Sequence, residues 1–416
     1  MSNHKKGASM EHASYVIVGG GLAAVAAADA IRRRDKTGRI VLISAESHAP
    51  YDRVPLSKAY LLGTVERDEI FLRPSRFYER NKVDLMLNQP VTALHLATRQ
   101  VTLASGTQLG FEQLLLATGG RPRRLPIPGD HLAGVHYLRN IEDTEAIKSA
   151  LQGARRAVVV GGGFIGCELA TAFAHVGLET TVVELTSGVL SLALDTETSG
   201  FIEAFLRQQG VTVLTGTGAA RFEGEDGRVG AVVTNHGERL EADIVAVGVG
   251  IIPNTEIAAE AGLTVDNGVV VDEFLQAAAG VYAAGDIARY YSPPLGHHLR
   301  VEHYDVALQH GRTAGANMTG ARQAYTDLPY FFSFMGDLQL NVVGEMQRRD
   351  LTVRRGPLDL DPGFVQFYFA DGRLQAVLSV NRNGALLQAA KAHILERRPV
   401  TDAQALADAL YNSASA

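Results

Sequence analysis

Short β-branched runs that break off in glycine set the pattern of this chain. Val16-Ile17-Val18 stops at Gly19-Gly20-Gly21, and Leu22-Ala23-Ala24 follows. Far downstream, Val158-Val159-Val160 stops at Gly161-Gly162-Gly163, and Phe164-Ile165-Gly166 follows. Uninterrupted apolar runs bounded by turn residues read as strands buried on both faces of a parallel sheet. A second apolar run comes after each: residues 39–46, ending in Glu46, and residues 180–184, ending in Glu184. The predicted unit is strand, tight turn, helix, strand, and it occurs twice. Arg32-Arg33-Arg34 fits the last turn of the first helix, where cations suit the helix dipole.

Around these units the pattern predicts further elements. Residues 50–58 form a loop leading to a helix, and 83–103 and 108–116 hold short strands split by turn residues. A buried strand at 114–119 ends in a tight turn, and 243–250 mirrors it. Residues 121–129, rich in proline and arginine, read as a crossover between domains. Another apolar strand, 281–286, ends in Gly285-Asp286, and a helix follows near 304–318. From about 329 the pattern changes. Segments 338–343, 364–369 and 374–380 predict antiparallel strands, with helices near 384–397 and 402–411. The expected organisation is a disordered tail at 1–13, a first domain from 14–122 and 250–328, a second from 123–249, and an α+β domain from 329–416. The last residues, from Asn412, read as a second tail.

The glycines point to chemistry. A strand must turn tightly into a helix while a pyrophosphate touches the backbone of the turn. A side chain at Gly19 or Gly161 would obstruct the turn, and one at Gly21 or Gly163 would hold phosphates away. The third position must be small for helix to rest on strand, as Ala24 and Gly166 are. The helix N-terminus then offers free N–H groups and a positive dipole end to an anion. Glu46 and Glu184, each at the end of the next strand, can accept hydrogen bonds from ribose hydroxyls. Glu184 would repel a 2′-phosphate, and no arginine follows it closely, so NADH is favoured over NADPH. Two such units suggest two dinucleotides held face to face, as direct hydride transfer requires. The fold class is α/β, with two Rossmann-like dinucleotide-binding domains and a C-terminal α+β domain.

Composition narrows the field modestly. A chain of 416 residues with 46% hydrophobic and 20% charged residues is that of an ordinary globular protein. Its net charge of −6 argues against a nucleic-acid surface. No apolar run approaches the ~20 residues of a membrane span, and the polar start lacks the apolar core of a secretory signal. A cytoplasmic protein, monomeric or weakly dimeric, is expected. The single cysteine, Cys167, forbids an internal disulfide and excludes glutathione, thioredoxin and lipoamide reductases, which use a cysteine pair. Cys167 reads as a small core residue.

Together these motifs resemble the FAD-dependent pyridine-nucleotide reductases, with their glutathione-reductase-like fold. Within them the chain is similar to the ferredoxin, rubredoxin and putidaredoxin reductase branch and to apoptosis-inducing factor. The resemblance runs from about 15 to about 400 and is most specific at 50–58, 114–123, 161–168, 281–286 and 300–320. It implies FAD on the first domain, held by Gly19, Gly21, Leu22, Ala23, Ala24, Glu46, Arg53 and Lys58. Val91, the turn Ala117-Thr118-Gly119, Arg139 and Gly285 would add to this, and Asp286 would hydrogen-bond the ribityl chain. Glu302 and His303 would lie at the flavin, with Tyr304 shielding the ring. NADH would bind the second domain through Gly163, Phe164, Ile165, Gly166, Glu184, Val249 and Gly250. Lys58 and Glu168 would meet beside flavin N5 as the catalytic pair. There a cation stabilises reduced flavin, and the carboxylate orients the lysine and contacts the nicotinamide amide. A structural salt bridge is the alternative reading of this pair.

Some residues depart from the family pattern. Its aromatic-Trp-Ser-acid motif becomes Phe331-Phe332-Ser333-Phe334, and the chain has no tryptophan. Phe332 can still pack against flavin but is a poorer redox relay. Leu192 stands near where some relatives place an arginine. The adjacent pair His297-His298 reads as a surface loop rather than a metal site, and no metal is expected. Arginine pairs at 348–349, 354–355 and 397–398, with Arg121, Arg123 and Arg124, either dock an acidic ferredoxin or simply face solvent. The implied partner is a small iron–sulfur carrier. The other possibilities are transfer to a quinone, oxygen or another small acceptor, and a slow, NADH-binding redox sensor.

Overall fold

The computed structural model describes residues 11–382 and 384–413. Of the two expected tails, residues 1–10 and 414–416 lie outside the described part. The others are ordered, correcting both expectations. The first strand begins at Glu11, because Glu11, His12 and Ala13 pair with Leu109, Gly110 and Phe111. The last helix, Ala403–Ser413, includes Asn412.

The described chain divides into two compact units, one of residues 11–52, 71–120 and 253–327, the other of 53–70, 121–252 and 328–413. In the first unit the strands run in the order Gln276–Ala278, Val281–Ala283, Gln108–Leu116, Glu11–Val18, Ile40–Ile43, Val83–Met86. The first glycine strand lies parallel between its neighbours, with Val16 level with Val41 and Leu114. Its apolar run is continuous because both faces are covered: Val16, Ile17, Leu42 and Leu115 are wholly buried. Helix Leu22–Arg34 packs against helix Tyr304–Met318. Gly311 and Gly315, one turn apart, permit the approach. A Cβ at either would fall 2.2 Å from the Ala23 carbonyl oxygen or 2.5 Å from that of Ala27. His297-His298 is not in a loop. It opens the strand His297–Arg300, which pairs antiparallel with Ala288–Ser292, and His298 meets the Tyr291 ring edge-on.

The second unit is built on a five-stranded parallel sheet, in the order Val211–Thr215, Glu179–Glu184, Arg156–Val160, Ile244–Val247, Val135–Tyr137. A three-stranded antiparallel sheet of Ala219–Glu225, Arg228–Thr234 and Arg239–Glu241 accompanies it. The same unit holds the C-terminal sheet, antiparallel throughout, in the order Tyr330–Met335, Leu338–Gly344, Arg373–Val380, Phe364–Ala370, Leu351–Arg355. Helices Ala385–Leu395 and Ala403–Ser413 follow it. One apolar core joins these parts, with Phe173, Phe205 and Leu206 packed among Met335, Leu340 and Tyr368. The expected loop at 50–58 holds a short 3-10 turn, Val54–Ser57, with Pro55 near its start, and the helix expected to follow is only a second 3-10 turn, Arg67–Ile70. Among the described residues no helix is long and apolar enough to cross a membrane.

Several arginines weighed as docking residues are engaged within the second unit. Arg349 donates to the carbonyls of Ala193 and Leu194 at 3.2 and 2.7 Å. Arg354 pairs with Glu197 at 3.1 Å, Arg355 with Asp408 at 2.5 Å, and Arg348 with Asp371 at 2.7 Å. Arg398 pairs with Glu396.

Candidate functional site

Both glycine turns have the form an anion needs. Gly19 (φ +127°) and Gly161 (φ +104°) adopt backbone that side chains avoid. A Cβ on Gly19 would sit 2.0 Å from the Ala117 carbonyl oxygen, and one on Gly161 2.5 Å from that of Gly248. Each turn therefore nests on the strand-end turn expected beside it. Those turns close on Gly119 (φ +60°) and Gly250 (φ +93°). Gly166 rests on the Gly161 carbonyl, with 1.9 Å to a Cβ placed there. The positions reserved for phosphate are open: among the described residues nothing lies within 4 Å of a Cβ on Gly21, and only the Gly248 oxygen, at 3.9 Å, for Gly163.

The helices behind these turns bear out the same logic. Helices Ile141–Leu151 and Thr196–Gln208 are capped by the Asn140 and Asp195 side chains and carry acids in the first turn. Helices Leu22–Arg34 and Phe164–His175 have neither a side-chain cap bond nor a first-turn acid. Their first N–H groups and dipole ends are left for an anion. The residues present thus fit two dinucleotide pyrophosphates.

In the first unit the structure gathers much of the sequence-predicted FAD set. Ala24 is fully buried, Leu22 and Ala23 open the helix after the turn, and a Cβ on Gly285 would meet Ala23 at 3.3 Å. Thr118 donates through Oγ1 to the Asn254 carbonyl at 2.9 Å, and Asn254 returns a bond from Nδ2 to the Thr118 carbonyl at 2.9 Å. Glu46 accepts the Tyr51 hydroxyl. The turn before Val91 is tied to this strand end by Asn88 N–H to the Glu46 carbonyl and Gln89 N–H to that of Ser44, both 2.9 Å. Arg300 joins the next pair, reaching the Asp286 carbonyl at 3.2 Å and the Glu302 carboxylate at 2.7 Å. His303 stands at the N-terminal boundary of the helix Tyr304–Met318 and makes no side-chain cap bond to it. Burial lowers its imidazole to about 4, against a smaller upward pull from the Asp286 carboxylate.

Arg53, Lys58, Arg139 and Phe332 belong to the second unit, as does the whole NADH set. Arg53 donates to the Arg139 carbonyl at 2.8 Å, at the start of the capped helix. Phe332 lies on the first C-terminal strand, tilted between Tyr330 and Phe334 at 6.4 and 5.6 Å. Phe164 packs edge-on against Phe331 at 4.8 Å, while Ile165 beside it is exposed. Cys167 is buried in this helix, and burial holds its thiol far above its ordinary range.

Lys58 and Glu168 form an ion pair, Nζ to Oε2 at 2.7 Å. The Glu168 side chain is only 4% exposed and that of Lys58 22%. Two hydroxyls complete the carboxylate: Ser57 donates to Oε2 at 2.6 Å and Ser333 to Oε1 at 2.7 Å. Both serines are buried. A carboxylate accepts about four hydrogen bonds, so this one is held by three donors and keeps an acceptor position on Oε1. The arrangement fixes a cation and an orientable carboxylate in a dry place, where charge acts strongly. Neither serine was picked out from sequence. Ser57 adjoins Lys58 and Ser333 lies inside the altered aromatic motif, and these were the only signals.

Glu184 is equally committed. Gly162 N–H donates to its Oε2 at 2.6 Å, and Thr186 donates to Oε1 from both backbone and hydroxyl, each at 2.7 Å. Among the described residues no group of three His, Cys, Asp or Glu side chains could hold a metal.

Two sheets, one mixed and one wholly parallel, each carrying an uncapped glycine turn on a parallel strand, and a buried lysine–glutamate pair define a two-nucleotide redox flavoprotein architecture. The chain matches the family model of the pyridine nucleotide-disulphide oxidoreductases over residues 13–311 and that of the reductase C-terminal domain over 330–412. It belongs to the pyridine nucleotide-disulphide oxidoreductase family, though with one cysteine it carries no internal disulfide. It is 37% identical to rhodocoxin reductase of Rhodococcus erythropolis, over 94% of this chain and 92% of that protein. It is 36% identical to putidaredoxin reductase of Pseudomonas putida, over 93% of each. Among solved structures it resembles the covalent putidaredoxin reductase–putidaredoxin complex, with TM-score 0.90, 35% identity, and 98% of this chain and 99% of that one covered.

Proposed function

We propose that this chain is an FAD-dependent NADH oxidoreductase that passes electrons to a ferredoxin- or rubredoxin-like carrier in the cytoplasm, where NADH is available. The observation that carries this reading is the duplicated glycine turn, with both helix N-termini uncapped and a carboxylate close to the end of each following strand: Glu184 closes its strand, while Glu46 lies three residues past Ile43, where the strand stops short of the end expected from sequence. Relatives whose names identify them as reductases of rhodocoxin, putidaredoxin and rubredoxin support the choice of acceptor.

In this reading residues 14–122 and 250–328 hold FAD, 123–249 hold NADH, and 329–416 form the third domain. Gly19, Gly21 and the N-terminus of helix Leu22–Arg34 receive the FAD pyrophosphate, Glu46 a ribose, and Asp286 the ribityl chain. Ala117, Thr118, Gly119, Val91, Arg53, Arg139, Gly285, Glu302, His303 and Phe332 complete that set. Gly163, Phe164, Ile165 and Gly166 receive the NADH pyrophosphate, with Glu184 on the adenosine ribose and Val249 and Gly250 beside it. FAD, when bound, would supply hydride acceptance and the release of electrons one at a time. Lys58 supplies a fixed positive charge where negative charge develops, and Glu168 holds that lysine while accepting from the nicotinamide amide.

The test is anaerobic reduction of the purified yellow protein by NADH, followed by addition of ferredoxin and cytochrome c. Rapid cytochrome reduction that depends on the carrier is expected. Protein that is colourless and cannot be loaded with FAD would overturn the reading. So would a long-lived reduced state that no iron–sulfur carrier discharges.

A further inference from the structure

The loop that follows Glu184 is built more tightly than contact with a ribose requires. Its hydrogen bonds point to residues that nothing in the motif names. Thr186 hydroxyl lies 2.7 Å from Glu184 Oε1 and 3.1 Å from the Gly188 carbonyl. Ser191 donates to that same hydroxyl oxygen at 2.8 Å. A threonine hydroxyl has one proton. With Ser191 donating into it, that proton serves the nearer and charged acceptor, Glu184. The chain Ser191 to Thr186 to Glu184 is therefore polarised in one direction.

The loop is also fastened at its far end. Leu190 adopts φ +56°, a conformation uncommon for a γ-branched residue. In it, its N–H donates to the Gly162 carbonyl at 2.8 Å, while Gly162 N–H donates to Glu184 Oε2 at 2.6 Å. One residue of the glycine turn, Gly162, is thus held at its N–H by Glu184 and at its carbonyl by the loop. Strained backbone of this kind persists where the surroundings over-determine it.

We infer that Thr186 and Ser191 are specificity-determining positioning residues that set the preference for NADH over NADPH. The inference rests on the reading that Glu184 meets the adenosine ribose. A carboxylate on a free side chain can rotate away from a 2′-phosphate and let it in. This one would have to leave three donors. Its Oε1 is filled by Thr186, so a single acceptor position remains, on Oε2. That position suits one ribose hydroxyl, which donates, and rejects a phosphate dianion, which cannot. No lysine or arginine occurs in residues 184–192 to offset the repulsion. Discrimination thus depends on the carboxylate being anchored as well as on its charge.

The experiment compares Thr186→Val, Ser191→Ala and Glu184→Gln in the FAD-loaded protein. Steady-state kinetics with NADH and NADPH give the ratio of kcat/KM values. Calorimetry with ADP-ribose and 2′-phospho-ADP-ribose reports binding without turnover. Thr186→Val should lower the NADH:NADPH ratio about tenfold, the scale of one lost charge-assisted hydrogen bond, with the change falling on KM. Ser191→Ala should shift it in the same direction by less. If Glu184→Gln weakens ADP-ribose binding while the other two leave both ratios at wild-type values, the anchoring role is wrong and the ribose reading stands. If Glu184→Gln leaves ADP-ribose binding unchanged, both are wrong.

Discussion

Replacing Lys58 by methionine separates a structural from a functional role for the buried ion pair. The change removes the ammonium 2.7 Å from Glu168 Oε2 and leaves a carboxylate whose side chain is 4% exposed. Ser57 and Ser333 still donate to it, but a buried charge has lost its counter-charge. Breaking such a pair from one side costs about 3–5 kcal/mol. Lys58 is itself 22% exposed, so water can enter where it stood, and the lower end, about 3 kcal/mol, applies. At ~1 °C per kcal/mol for a chain of 416 residues the melting temperature should fall by roughly 3–4 °C. Flavin reduction by saturating NADH, followed by stopped flow at 450 nm, should slow roughly 100-fold, as when a fixed electrostatic partner of a transition state is removed.

The double variant Lys58→Met with Glu168→Gln is the decisive sample. It removes the stranded charge, so most of the lost stability should return. The cation stays absent, so reduction should stay slow. Two results would refute the reasoning. A single variant that melts with wild type would show that Glu168 does not depend on Lys58. A double variant that regains the reduction rate would show that the single variant was slow only because its site was distorted.

Three smaller predictions follow from the same geometry. Ser333→Ala removes one donor from Glu168 and should slow flavin reduction about tenfold, the effect of one hydrogen bond to a charged group; Ser333→Thr, which keeps the hydroxyl, should restore the rate. His310 is fully buried and desolvation lowers its imidazole to about 3. The unfolded chain therefore binds a proton that the folded one refuses between about 6.5 and 3. The stability this group contributes is intact above pH 6.5 and is lost as pH falls, by up to about 1.4 kcal/mol per unit. Melting curves of His310→Gln should decline less steeply than wild type between pH 6.5 and 4. Cys167, buried and with its thiol raised, should resist a thiol reagent in the native protein and react once it is unfolded. Rapid native labelling would contradict its burial.

How much of this site could be read from sequence depends on what each residue must satisfy locally. The glycine turns were legible because their constraint is local. Gly19 and Gly161 need positive φ and close approach to a carbonyl, and no other residue type meets both. Helix Tyr304–Met318 was legible for a similar reason, at the expected bounds. The small antiparallel sheet at 219–241 went unread although its turn was local: Asp226-Gly227, at φ +49° and +76°, makes the two-residue loop between its first two strands. His297-His298 was misplaced because Pro-Pro-Leu-Gly signals a turn but does not say that a strand resumes at once after it. The Glu168 cluster was the hardest part. Ser57 lies 111 residues from Glu168 and Ser333 lies 165 away, and a serine donating to a distant carboxylate leaves no periodicity or spacing behind. Lys58 and Glu168 could be paired only through resemblance to a family. The two serines were beyond that reach, because a role that consists of filling another residue's lone pairs becomes visible only when the acceptor and all its donors are in place. That is also why the hydroxyls, more than the charges, are where sequence comparison alone would miss how this site is tuned.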